Sequence, residues 1–262
     1  MEMLKETDYY RVLPVLIENS RRCPTFVYSV VDNIISGIVY ADDQVQPTTV
    51  LIGTKNGVYF IGGNECNTAF NDAFFTWYKQ HTSERARFTL FSATGNWDSV
   101  ICQLFKGEIF QMKRYSFEFN IRDYPVIKKQ LPGGFTIRKI SKETIEMSSH
   151  FKKSYYEQYW DGISNFLKYG FGFCVINDDR EVVSECTSIF IGQSFAEIDI
   201  VTQNQYAGKG FASILGELFI DKCSERGLTP GWDCDVNNIS SIKLAAKLGF
   251  VKPVEYSIFV GK

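Results

Sequence analysis

Residues 202–213, TQNQYAGKGFAS, set Gly208 and Gly210 one residue apart, between an apolar run ending at Val201 and an amphipathic run starting at Phe211. Glycine reaches positive φ without a Cβ clash, so the pair marks a turn in which backbone N–H groups are bared. A strand entering a helix through such a loop belongs to a layered α/β architecture. The first helical turn then offers unpartnered N–H groups, and the positive end of the helix dipole, to an anion. The plainer reading is a turn that only lets the helix pack closely on its strand. Two sharper readings fail on the letters themselves. A Walker A loop needs G-x-x-x-x-G-K-[ST], and no such string occurs. A dinucleotide fingerprint needs glycine or alanine where Ser213 stands, directly after its strand, whereas TQNQYA intervenes after Val201. Asp235 lies at a suitable spacing for a ribose contact, but the strand pattern upstream is a meander, not half of a doubly wound sheet.

Charge and cysteine usage remove other classes. The 28 Lys and Arg against 30 Asp and Glu give a formal charge of -2 with no basic tract, so a phosphate-tracking nucleic-acid surface is not expected. The most apolar stretch, FVYSVVDNIISGIVYA, is interrupted by Asp32 and Asn33, and MEMLKETDYY has no apolar core of the secretory kind. These features predict a cytoplasmic protein without a membrane span. Seven scattered cysteines with no C-x-x-C pair fit reduced thiols. The two histidines, His81 and His150, stand far apart and near no ligand pattern, so neither a metal site nor a histidine-activated nucleophile is expected.

Along the chain, two strand-rich blocks meet near IRDYPVIKKQLPGG, where Pro125, Pro132, Gly133 and Gly134 supply linker breaks. This gives an N-terminal domain over 1–130 and a C-terminal domain over 131–262. In the first, PTTVLIGTKNGVYFIGG reads as a hairpin turned at Asn56-Gly57. Phe70, Phe74, Trp77 and Tyr78 then repeat at helical spacing behind a cap at Asn67 or Thr68. In the second, the order is a strand (GFTIRKI), a helix started by Ser141 and Thr144, three meandering strands up to Val201, the glycine loop, a helix ending at Gly227, a strand, a helix and a last strand. That order, β-α-β-β-β-α-β-α-β, predicts a mixed sheet with helices on its faces.

Gln205-Tyr206-Ala207-Gly208-Lys209-Gly210, followed by Phe211 and Ala212, resembles the Q/R-x-x-G-x-G/A pyrophosphate loop of the GCN5-related N-acetyltransferases. Downstream, NNISSIKLAAKLGF resembles that superfamily's second coenzyme A segment, matched at Asn238, Ser241, Leu244, Lys247, Leu248, Gly249 and Phe250. The two motifs cover residues 135–262 in the right order. The first block carries no motif, but its element order is similar to a degenerate copy of the same fold, as in the two-part acetyltransferases that include zwittermicin-resistance relatives.

The resemblance implies an acyl-CoA N-acyltransferase fold, acetyl-CoA as co-substrate, and direct attack by a primary amine of a small molecule or peptide. It implies main-chain contacts from Val201 and Thr202 to the pantetheine arm and N–H groups from Ala207 to Ala212 on the pyrophosphate. Asn238, Ser241 and Lys247 would belong to the second segment, although Asn238 is also a good plain N-cap. Lys209 points either at phosphate or out to solvent. A Lys-like amine with pKa about 10.4 must lose a proton, so a carboxylate near the site is needed. Glu197, Glu185 and Asp199 are the candidates, in that order; the rival reading of each is a solvent-facing strand residue. Many members place a tyrosine in the last helix as general acid. Ala245 stands there in this chain, leaving Tyr256 or Ser241 as stand-ins, or a thiolate that leaves unassisted. A coenzyme-binding sensor without turnover is the alternative that Ala245 leaves open. The first block is expected either to cap the acceptor cleft or to supply contacts of a homodimer.

Overall fold

A computed structural model describes residues 1–19, 22–81, 87–124 and 130–261. Contacts divide the chain into unit 1, Met1–Arg114 with Glu255–Lys262, and unit 2, Tyr115–Val254. The sequence reading instead sets one cut near residue 130. Its linker lies partly at 125–129, outside the described residues, and the last eight residues join unit 1 because their strand pairs there.

Unit 1 begins with β1 (Glu2–Met3), a 3-10 turn (Glu6–Val12), α1 (Leu13–Glu18) and α2 (Thr25–Val31). Next come β2 (Gly37–Ala41), β3 (Thr49–Thr54), β4 (Val58–Gly63), α3 (Thr68–His81), β5 (Thr89–Ser92), α4 (Gly95–Leu104) and β6 (Ile109–Phe119), whose second half belongs to unit 2. β1 to β4 pair antiparallel in sequence order, and β4 pairs parallel with β5. The Asn56-Gly57 turn forms as its letters require. Gly57 sits at φ 81°, where a Cβ would also lie 1.9 Å from the Arg87 carbonyl oxygen. Phe70, Phe74, Trp77 and Tyr78 of α3 are buried, and the Phe70 amide donates to Asn67 Oδ1 at 3.1 Å, so Asn67 is the cap.

Unit 2 runs β7 (Phe135–Lys139), α5 (Lys142–Met147), α6 (Lys153–Trp160), α7 (Ile163–Tyr169), β8 (Gly172–Asn177), β9 (Val182–Gly192) and β10 (Phe195–Thr202). It continues through α8 (Phe211–Glu225), β11 (Thr229–Asp235), α9 (Ile239–Lys247) and β12 (Phe250–Gly261), the last part of which, from Glu255, is in unit 1. There, Ile258–Val260 pair antiparallel with Thr89–Phe91 of β5. β7 to β10 are antiparallel neighbours in order, and β10 pairs parallel with β11. Unit 1 therefore repeats the pairing scheme of unit 2.

Ser141 caps α5 with a reciprocal pair: its hydroxyl accepts from the Thr144 amide at 3.3 Å and the Thr144 hydroxyl accepts from the Ser141 amide at 2.8 Å. The sequence reading expects one helix after β7; the structure has three. α5 stops at Met147, and α6 is cut from α7 by Asp161 and Gly162 at φ 56° and 128°, which no α-helix accommodates. The Leu-Gly-Phe of the C-terminal motif has a packing cause: Gly249 lies at φ 87°, and a Cβ there would come within 2.9 Å of Tyr124 backbone atoms. Among the described residues no helix is long and apolar enough to cross a membrane.

Candidate functional site

Gly208 and Gly210 adopt φ of 78° and 87°, with Lys209 between them at negative φ. Alternation of this kind turns successive N–H groups toward one side, a concavity suited to an anion. Among the described residues the amides of Gly208, Lys209, Gly210, Phe211 and Ala212 find no acceptor. The first bond of α8 is Ile214 N–H to the Gly210 carbonyl at 3.1 Å. The Ala207 amide, expected in this set, donates instead to the Asn204 carbonyl at 3.1 Å, so the free run starts one residue later. Aromatic packing fixes the loop at both ends. Phe135 of β7 meets Phe211 at 4.7 Å and Tyr206 at 6.0 Å between ring centres, and the Tyr206 hydroxyl accepts from Asn177 Nδ2 at 3.1 Å. Lys209 is exposed, its ammonium 5.9 Å above the Phe135 ring. Gln205 is exposed and its side chain donates to Gln203 Oε1.

Directly upstream, β10 and β11 part. Their parallel register covers Phe195–Glu197 against Thr229–Gly231 and ends there, although β10 runs on to Thr202 and β11 to Asp235. On its other side β10 stays paired with β9 as far as Thr202, past a bulge after Glu197. Val201 and Thr202 are held by Ser184, whose hydroxyl lies 3.1 Å from the Val201 carbonyl oxygen and 2.7 Å from the Thr202 hydroxyl.

The expected carboxylates gather on one sheet face. Val201 is the cross-strand partner of Glu185, Asp199 of Thr187 and Glu197 of Gly231, and such pairs share a face. That face is covered by α6 and the turn before it. The Tyr155 hydroxyl donates to Asp199 Oδ2 at 2.9 Å, and the Trp160 indole donates to the Ser188 carbonyl at 3.0 Å. Burial, reinforced by the Asp199 carboxylate, drives the Tyr155 phenol well above its ordinary range, so it remains a donor. Glu185 is 2% exposed. Burial raises its pKa against the opposing pull of the Ser148 hydroxyl at 2.7 Å and the Phe151 amide at 3.4 Å, with His150 Nδ1 at 4.0 Å. Glu197 and Asp199 are half-buried.

The second motif is largely consumed by structure. Asn238 Oδ1 accepts from the Ser241 amide at 3.1 Å as the cap of α9, and Ser241 Oγ accepts from the Trp232 indole at 3.0 Å. Lys247 is exposed and Ala245 fully enclosed. Tyr256 falls in unit 1, where its ring stacks on Phe91 at 6.0 Å and its hydroxyl accepts from Arg114 Nε at 3.2 Å. The thiols of unit 2 are core groups: Cys174, Cys186, Cys223 and Cys234 are buried, and burial pushes Cys174 and Cys223 up to about 12, whereas Cys66 and Cys102 of unit 1 are exposed.

Asp233, whose carboxylate accepts from Ser116 Oγ at 3.5 Å on the same face, and the Tyr155–Asp199 pair are not among the sequence candidates. Alternation along WDCD signals the first. The second joins residues 44 positions apart, and no local pattern encodes it.

A family model described as GNAT acetyltransferase matches residues 16–259. The uncharacterized N-acetyltransferase YdfB of Bacillus subtilis strain 168 is 45% identical over 243 residues, covering 92% of each chain. A GCN5-related N-acetyltransferase-like protein from Streptococcus suis 89/1591 superposes with TM-score 0.72 at 22% identity, over 98% of this chain and 99% of the other. A tandem GNAT protein from the clavulanic acid biosynthesis pathway does so with TM-score 0.68 at 9% identity, over 100% and 97%. At these identities the two solved structures bear on the fold alone.

Proposed function

This chain belongs to the GNAT acetyltransferase family, and from that premise we propose that it moves an acetyl group from acetyl-CoA to a primary amine of a small molecule or peptide, with unit 2 carrying the transfer. The observation that carries the reading is the run of five acceptor-less amides, Gly208 to Ala212, beside the opening between β10 and β11. Those amides and the α8 N-terminus suit a diphosphate, while the β10 edge at Val201 and Thr202 suits an amide-bearing arm. When bound, the thioester supplies an acyl carbon open to attack by an amine.

Asp199 is the proton acceptor we assign. It lies just past the end of the β10–β11 register, half-buried, with its second oxygen steadied by Tyr155. Glu197, at the last paired rung, flanks it. Glu185 is too enclosed to meet an amine and acts by positioning the turn at Ser148–Phe151. With Ala245 enclosed, α9 offers no tyrosine hydroxyl to the leaving group, Ser241 Oγ is engaged by the Trp232 indole, and a thiolate of pKa about 8.5 departs without a donor. A cytoplasmic, reducing setting suits seven free thiols, of which Cys66 and Cys102 are exposed.

Thiol release from acetyl-CoA with a broad amine panel tests the reading. Asp199→Asn is expected to lower kcat by about 100-fold, with binding of acetyl-CoA unchanged. Coenzyme binding without thiol release for any amine would refute acetyl transfer.

A further inference from the structure

In an antiparallel pair, residues alternate between exchanging main-chain bonds with the partner strand and turning N–H and C=O the other way. The Gln203 amide donates to the Val183 carbonyl at 2.9 Å. These two residues continue the register in which Thr202 faces Ser184 and Val201 faces Glu185. Val201 therefore directs its main chain at β9. Thr202 and Ile200 turn theirs to the other side, where the β10–β11 register has ended at Glu197. Of the two residues assigned to the amide-bearing arm, Thr202 is the one whose main-chain groups face the opening.

A pair of hydroxyls holds Thr202 in place. Its Oγ1 lies 2.7 Å from Ser184 Oγ, and Ser184 Oγ donates to the Val201 carbonyl oxygen at 3.1 Å. A hydroxyl has one proton to give, so the chain runs in one direction, from Thr202 to Ser184 and from Ser184 to Val201. Ser184 is 1% exposed and so does not reach a ligand at the strand edge. Its side chain stands on the sheet face packed by α8, opposite to that of Glu185. A hydroxyl buried this deeply is unfavourable unless it is bonded, and both of its bonds fasten the end of β10. The residue after Thr202 is tied to the same strand, because Gln203 Nε2 donates to the Val182 carbonyl at 2.6 Å. Thr202 itself is half-buried, anchored to β9 by its side chain while its main chain faces the opening.

We propose that Ser184 is a positioning residue for the coenzyme: through Thr202 it fixes the main-chain groups that receive the amide-bearing arm, and it has no part in holding the diphosphate, which falls to the Gly208–Ala212 amides. The proposal rests on the acetyl-transfer reading and deepens it. A strand end already fixed in its bound geometry loses less freedom when the arm is laid along it, so the hydroxyl pair acts on affinity without contacting the ligand through Ser184.

Calorimetry on the full chain compares acetyl-CoA with adenosine 3′-phosphate 5′-diphosphate, which keeps the diphosphate and lacks the arm. Ser184→Ala and Thr202→Val each remove one hydroxyl. Both are expected to weaken acetyl-CoA binding about tenfold and to leave the nucleotide half within about twofold. The double variant should bind no worse than either single one, since both break the same chain. Thr202→Ser, which keeps the hydroxyl, should retain wild-type affinity. Two separate single variants guard against one that misfolds, as does circular dichroism. A general loosening of unit 2 would weaken both ligands alike. That result, or an acetyl-CoA affinity unmoved by either variant, overturns the positioning role while acetyl transfer stands. Wild-type protein that binds neither ligand overturns the acetyl-transfer reading and the proposal together.

Discussion

The two units share one scheme of strands and helices but end their parallel strand pair differently. In unit 2 the β10–β11 register stops at Glu197 while both strands continue, and the helix that follows starts from a glycine nest with bare amides. In unit 1 the β4–β5 register holds from Val58 to Ile61 and is extended by the Ala93 amide on the Ile61 carbonyl at 3.0 Å. The loop before α3 bares little: Asn64 Oδ1 accepts from the Cys66 amide and Asn67 Oδ1 from the Phe70 amide, both at 3.1 Å. The same fold thus parts its parallel strands beside bare amides in one copy and keeps them paired beside capped amides in the other. An α/β scaffold does not itself make a binding site; the termination of one strand pair and the letters of one loop do.

The largest expected effect tests whether the C-terminal strand is truly part of the closed copy. Phe259→Ala, at a position 0% exposed, should cost ~3–5 kcal/mol. Hydrogen exchange should show lost protection first in β3 to β5, because β12 pairs with β5 there. Loss confined to β8–β10 would contradict that assignment. Next, Gly210→Asp gives the open copy a capping carboxylate in place of a bare amide run. It should weaken acetyl-CoA binding by about 100-fold, or about 2.7 kcal/mol, in calorimetry. A smaller effect is reserved for the converse change: Asn67→Ala uncaps α3, should cost about 1 kcal/mol in denaturant melts, and should leave acetyl-CoA affinity as it was.

Smallest is a pH effect at Glu185. Its pKa is raised in the folded state by burial, so the stability associated with its proton is fully present below the unfolded value and is lost as pH rises through the folded one. Glu185→Gln keeps an acceptor for Ser148 without the buried charge. It should therefore raise the melting temperature at neutral pH, the gain shrinking as the wild type protonates in acid. A gain that grew toward acid would reverse the sign and refute the account.

Much of this was legible in the letters because the forces are local. The Asn56-Gly57 hairpin, the Ser141–Thr144 box, the spacing of Phe70 to Tyr78 and the glycine pair each act within a few residues. What stayed hidden depends on pairing across long separations. The exchange of Glu255–Gly261 into unit 1 joins Ile258 to Phe91, and the Tyr155–Asp199 bond joins two elements with no common motif. The Ala207 amide departs from the motif for the opposite reason, since a single 3-10 turn at Asn204–Tyr206 uses it up and a motif does not show that turn. Asn238 and Ser241 belong to a matched segment, yet their side-chain oxygens serve capping and packing.

The most direct test of the central claim is a titration of isotope-labelled protein with acetyl-CoA, followed by amide resonances. One equivalent should shift and protect Gly208 to Ala212 and leave residues 64–70 unmoved. Saturation at two equivalents, or movement at Asn67–Phe70 with Gly208–Ala212 silent, would contradict the division between an open copy and a closed one.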